Sequence, residues 1–291
     1  MTDDAILARI GLSASVTPTQ STAADCALYA GAGVGAIGVW MHKLERGSMD
    51  GFWIPEQRID QDTLAAAAAA VKQSGLVVSH VILSGFYTEP GLERRIAHTQ
   101  HAMQVAAALG ARTLVIAPGR RHGRSYQQAR DFAARALSRV LERAPAGVPL
   151  ALEPTVPWQS DYLNTLAEAL ELAELVDDPR VGVYPDTAHL WRTGTLLEDI
   201  GRAGARILGV HLNDVRPDED HNCLPGEGAL PLVEIVKAIE ATGYAGTYDN
   251  EFVYPASLVS KEPERFAPAV VVERCVRAMA SVLEPALAAA A

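Results

Sequence analysis

Four side chains able to bind a hard cation recur down the second half of the chain: Glu153, Asp186, His211 and Glu251. They are separated by 33, 25 and 40 positions, each about one strand–helix repeat. Each follows a strand-like run: Pro149-Leu150-Ala151-Leu152, Val181-Gly182-Val183, Leu208-Gly209-Val210 and Gly246-Thr247-Tyr248-Asp249-Asn250. Any one of these acids could be a helix cap or an ion-pair partner. Four in succession, at one register, are expected to converge on a single divalent cation. Three carboxylates and one imidazole, without thiolate, favour Mn2+ and admit Mg2+, Co2+ or Fe2+.

Several residues nearby could serve such a centre. His189 could be a further ligand, a partner that orients one, or a substrate donor; substrate contact is the expectation. Asp214 could fix the tautomer of a ligating imidazole. Arg216 could grip a substrate oxygen with its planar guanidinium, or pair with Asp214 or Glu219. Trp40, Trp158 and Trp191 fall near strand tips, where an indole could stack on a sugar ring or pack the rim.

A site of this kind needs strands that are apolar along their length and charged only at one end, as in a parallel barrel. Strands are expected over 10–16, 33–40, 76–83, 113–117, 149–152, 181–183, 208–210 and 246–250. Helices are expected from Ser21 or Thr22 to Ala30, over 61–74 and 92–109, and from Ser125 or Tyr126 to Ala144. Four more are expected over 161–176, 196–204, 230–242 and 270–287. Strict alternation of eight such units predicts an α/β fold, a single (β/α)8 TIM barrel forming one catalytic domain over 1–291. An open doubly wound sheet is the alternative, but it would not bring strands five to eight around one point.

Other signals read as structural. Gly33, Gly35 and Gly38 spell GxGxxG but follow a helix and run into a strand, the reverse of a dinucleotide loop. Close strand and helix packing is the expectation. His80 sits within an apolar run and reads as a core residue rather than a ligand. The long connection 41–60 carries Phe52 and Trp53, which could close over a ligand or pin the loop. Arg120, Arg121, His122 and Arg124 form a basic loop that could touch an anion or simply be solvated.

The formal net charge of −10 argues against a phosphate-backbone binder, so no nucleic-acid partner is expected. Cys26, Cys223 and Cys275 are widely spaced, which speaks against a disulfide framework and for a reducing compartment. The opening Met1-Thr2-Asp3-Asp4 is acidic where a secretory leader is basic. No apolar run approaches the roughly 18 residues of a membrane span. A cytoplasmic protein is expected.

Leu152-Glu153-Pro154, Asp186-Thr187-Ala188-His189, His211-Leu212-Asn213-Asp214, Pro225-Gly226-Glu227-Gly228 and Tyr248-Asp249-Asn250-Glu251 together resemble the xylose isomerase-like TIM-barrel superfamily. More narrowly, they resemble its sugar-phosphate isomerase/epimerase branch, which includes ketose 3-epimerases, hydroxypyruvate isomerase, and inosose isomerases and dehydratases. The resemblance implies that Glu153, Asp186, His211 and Glu251 hold Mn2+ or a similar ion. It also implies that Glu153 and Glu251 act as the acid–base pair, and that His189 and Arg216 touch substrate. It implies a homo-oligomer, dimer or tetramer. Ketose epimerases of the branch carry a further glutamate shortly after the strand-five one. Thr155-Val156-Pro157-Trp158-Gln159 has none, a departure from the typical ketohexose epimerase. The superfamily's abasic-site endonucleases need extra histidines at earlier tips, where this chain has Ser84-Gly85 and Pro118-Gly119.

The function expected is that of a metal-dependent isomerase or epimerase of a small carbohydrate or keto-polyol. It would abstract the proton α to a metal-bound carbonyl and pass through an enediolate. The alternative is a dehydratase or lyase that uses the same ligands to expel a β-substituent.

Overall fold

The computed structural model describes residues 3–46, 58–83, 91–117, 119–216, 222–254 and 256–288. Phe52, Trp53, Ser84, Gly85, Pro118 and Glu219 lie outside them. Eight parallel strands form one sheet: β1 (Ile10–Ser13), β2 (Ala36–Trp40), β3 (Val77–Leu83), β4 (Leu114–Ile116), β5 (Leu150–Leu152), β6 (Val181–Val183), β7 (Val210–His211) and β8 (Tyr248–Asn250). Their order is β6-β5-β4-β3-β2-β1-β8-β7. The two ends of that order meet through parallel bridges, Val183 with Ile207 and Asp186 with His211. Leu208 N–H donates to the Val183 carbonyl and His211 N–H to that of Pro185, each at 3.0 Å. The sheet thus closes into a TIM barrel, with its seam between β6 and β7.

The helices start and stop where local chemistry directs. The outer ring is α1 (Thr22–Gly31), α2 (Gln61–Ser74), α3 (Leu92–Ala108), α4 (Tyr126–Leu141), α5 (Leu166–Val176), α6 (Leu196–Ala203), α7 (Leu232–Glu240) and α8 (Pro268–Ala288). Ser21 caps α1 and Asp60 caps α2, accepting the orphan N–H groups of the first turn. Gly75, at φ 73°, closes α2 in the left-handed conformation that glycine adopts without strain. The sequence predicts helix five from Asp161, but α5 begins at Leu166. The reason is a reciprocal cap: Thr165 accepts from Glu168 N–H and the Glu168 carboxylate accepts from Thr165 N–H. The glycine run behaves as structure, since Gly35 packs on the Ala8 backbone and Gly38 on the His80 ring.

Alternate residues of the strands face the helices and the barrel lumen. Leu114, Ile116, Leu150 and Leu152 join the large outer core, whereas Val115, Ala151 and Tyr184 form a separate inner cluster. One irregularity matters for the lumen. Ile37 pairs with Val78 but Gly38 pairs with His80, so Ser79 is an extra residue in β3. Such a bulge re-aims side chains, and Ser79 and His80, though consecutive, both reach Tyr184 or Asp249 inside the barrel. Among the described residues, no helix is long and apolar enough to cross a membrane, and the three cysteines are free and buried.

Candidate metal centre

Glu153 directly follows β5, Asp186 lies just past β6, His211 ends β7 and Glu251 directly follows β8. All four are buried, and one donor atom from each lies within 4.8 Å of every other. His211 Nδ1 is 2.7 Å from Glu153 Oε1 and 3.4 Å from Glu251 Oε2. Asp186 Oδ1 accepts from Ala188 N–H at 2.7 Å and His189 N–H at 3.2 Å, so it also caps the short helix Thr187–Leu190.

Burial disfavours charge on His211, but Glu251 and Glu153 outweigh it and hold the imidazole's pKa up at about 10. Burial pushes the Glu251 carboxyl up to about 7, against the pull of His211, with Glu153 and Asp186 adding to the rise. Three buried carboxylates around one imidazole carry an excess of negative charge that is costly away from water. A divalent cation would offset that charge, and the oxygen-rich donor set fits such an ion.

The remaining sequence candidates are placed as follows. His189 is half-buried beside this cluster, with Nδ1 3.2 Å from the Pro154 carbonyl and 3.9 Å from Asp186 Oδ2. Burial opposes its protonation, but Asp186, Glu153 and Glu251 raise its pKa above the ordinary value. The Pro154 contact puts a proton on Nδ1 and leaves Nε2 for a ligand. Arg216 lies along the rim. Its Nε donates to the Glu227 carbonyl at 3.2 Å, and it lines a cleft with Cys223, Phe252 and Tyr254. Trp40 is buried at the tip of β2 against His42, while Trp158 is 64% exposed on the loop after β5.

Asp214 does not reach the His211 imidazole. Its carboxylate accepts from the N–H groups of Val215, Gly226, Gly228 and Leu230 and so organises the loop after β7. The basic loop is tied down locally: Arg121 pairs with Asp161, Arg120 donates to the Gln159 carbonyl, and Arg124 lies over the Phe132 ring.

Two sets of residues beside the site were given no part in it from sequence. Asn213 is fully buried; its Nδ2 donates to Asp186 Oδ2 at 2.7 Å, and its Oδ1 accepts from Glu251 N–H at 3.0 Å. Spacing could have found it, since Asn213 stands two beyond His211 and so on the same side of the chain. Beneath the donors lie Tyr184, Asp249 and His80, also fully buried. The same period places Tyr184 one pleat below Asp186 and Asp249 one pleat below Glu251. Burial, with His211 alongside, pushes the His80 pKa well down.

A family model described as xylose isomerase-like TIM barrel matches residues 26–269. L-ribulose-5-phosphate 3-epimerase UlaE of Salmonella heidelberg (strain SL476) is 29% identical over 212 residues, covering 67% of this chain and 69% of its own. Protein SMc04130 from Sinorhizobium meliloti 1021 superposes with a TM-score of 0.79 at 27% identity, over 94% of this chain and 98% of that one. The IOLI protein, solved with a bound zinc atom, superposes with a TM-score of 0.76 at 19% identity, over 95% and 98%, a likeness of fold. With its barrel closed, its four donors gathered at the strand ends and most of its length matched, the chain belongs to the xylose isomerase-like TIM-barrel family.

Proposed function

We propose that the chain is a divalent-metal-dependent isomerase or epimerase of a sugar or keto-polyol, in which Glu153 and Glu251 move the proton on the carbon beside a carbonyl. The observation that carries this reading is the approach of two buried carboxylates, from β5 and β8, to one imidazole nitrogen. Bound among Glu153, Asp186, His211 and Glu251, the cation, Mn2+ by preference, would supply Lewis acidity toward a carbonyl oxygen. Glu153 follows β5 and Glu251 follows β8, so the two carboxylates reach the substrate from different strands. One takes the α-proton, giving an enediolate; the other returns a proton to the opposite face or the neighbouring carbon. His189, with Nδ1 engaged by Pro154, offers Nε2 to a substrate hydroxyl. Arg216 and Trp40 bound the substrate at the rim, and Trp158 extends that rim into solvent. The name of the matched relative, a ketose-phosphate 3-epimerase, supports a carbohydrate substrate, and the zinc in the IOLI protein supports metal binding on this fold.

The test is proton exchange. Chelator-treated protein reloaded with Mn2+ is incubated in D2O with ketopentoses, ketohexoses, their phosphates and inososes. Deuterium at the α-carbon with formation of an isomer is expected, lost on chelation. Glu153→Gln and Glu251→Gln should each slow it by at least about a hundredfold, with metal content measured in the same samples. Exchange indifferent to chelation, or full turnover by Glu153→Gln, overturns the reading. Loss of a substituent would assign the site to dehydration instead.

A further inference from the structure

We propose that Asp249, Tyr184 and His80 form a directional hydrogen-bond relay that fixes the tautomer of His211 and presents its Nδ1 lone pair to the cation. The inference rests on the metal-site reading above. The chain of contacts is continuous and wholly buried. Asp249 Oδ2 lies 3.1 Å from the Tyr184 hydroxyl, which lies 3.0 Å from His80 Nδ1. His80 Nε2 lies 3.4 Å from His211 Nε2, and His211 Nδ1 faces Glu153 and Glu251.

Direction follows from counting donors. Three hydroxyls converge on Asp249: Ser79 at 2.6 Å, Tyr184 at 3.1 Å and Thr247 at 3.2 Å. The carboxylate is the acceptor for all three, so Tyr184 spends its one proton there. Its oxygen can then only accept from His80, which places the His80 proton on Nδ1 and leaves Nε2 bare. A bare nitrogen facing His211 Nε2 needs a proton on the latter. His211 Nδ1, which faces Glu153 and Glu251, is thereby the nitrogen that gives up its proton and presents a lone pair when a cation binds. Partners of this kind fix ring orientation and strengthen the donor.

The packing is built to admit these groups. A β-carbon at Gly11 would overlap the Asp249 carboxylate, one at Gly38 the His80 ring, and one at Gly209 the Tyr184 ring. Each large polar side chain therefore occupies room left by a glycine on another strand. The β3 bulge brings Ser79 in beside His80, 3.2 Å from its Nδ1. These are positioning residues: His80 meets His211, and Tyr184 and Asp249 act through His80.

The experiment reads the tautomer directly. In metal-free protein labelled with 15N-histidine, His80 is expected in the Nδ1–H form. Asp249→Asn keeps the shape but offers an amide donor, which turns the relay round. His80 should switch to Nε2–H, and the Kd for Mn2+, measured by chelator competition, should rise about 10- to 100-fold. Tyr184→Phe should act in the same direction but less, because the Ser79 hydroxyl remains beside His80. An Nε2–H His80 in the wild type overturns the relay, whatever the variants do. So does wild-type Mn2+ affinity in folded Asp249→Asn. A wild-type protein that binds no divalent metal instead sinks the reading of the site, and the His80 tautomer still decides the relay.

Discussion

Lowering the pH from 8 to 6 should weaken binding of a divalent cation to the metal-free protein by about a thousandfold. Without a cation, His211 keeps its proton up to about pH 10 and Glu251 up to about 7. Both pKa values are raised, and a cation needs both groups deprotonated, so affinity must rise with pH. Between about pH 7 and 10, binding expels one proton and changes tenfold per pH unit; below about 7 it expels two and changes about a hundredfold per unit. One decade from pH 8 to 7 and two from 7 to 6 make about three, or about 4 kcal/mol. The assay is competition of Mn2+ between the chelator-treated protein and a fluorescent chelator at each pH. Calorimetry in buffers of different ionisation enthalpy counts the protons. A Kd that is level from pH 6 to 8, or tighter at pH 6, refutes the assignment of His211 and Glu251 as ligands.

Three further outcomes test the scaffold. Asn213→Ala removes the donor to Asp186 and the acceptor of Glu251 N–H, so it should cost about 2–5 kcal/mol in urea unfolding and weaken Mn2+ binding at least about tenfold; an unchanged midpoint and Kd would contradict the hydrogen bonds described. Gly209→Ala drives a β-carbon into the Tyr184 ring and should destabilise by about 1–3 kcal/mol. Gly201→Ala, exposed in α6 with nothing near it, should instead stabilise by about 0.4–1 kcal/mol, and equal effects of the two would reject the packing argument. Lys43→Met strands Asp25, whose carboxylate pairs with Lys43 at 2.7 Å in a buried site. A loss of about 3–5 kcal/mol is expected, and a thermal midpoint near that of the wild type would contradict it.

The upper layer of the centre was legible because its signal is local. A strand that ends in Glu153, Asp186, His211 or Glu251 shows it within a few residues, and the repeat length carries the rest. The layer beneath was not legible, for a physical reason. Tyr184 directly follows β6, and His80 and Asp249 lie inside β3 and β8; the strand period puts Tyr184 and Asp249 on the side of Asp186 and Glu251 but does not say what they touch. Their contacts depend on which glycine of another strand stands opposite, and so on closure of the whole sheet. His80 was rightly placed in the core, but its approach to His211 spans 131 positions of the chain. Asp214 misled because nearness along the chain was read as nearness in space; the turn at Gly226 and Gly228 draws its carboxylate away. The early start given to helix five ignored the Thr165-x-x-Glu168 cap, which was visible in the letters.

The seam between β6 and β7 has a consequence for how this protein can vary. Asp186 and His211 bridge the two ends of the sheet and also supply two of the four donors. Two residues thus clasp the sheet through their backbones and build the candidate centre through their side chains. Change there is penalised twice, once in shape and once in chemistry. The strands β1 to β4 supply none of the four donors, so substitutions at their ends escape that double penalty.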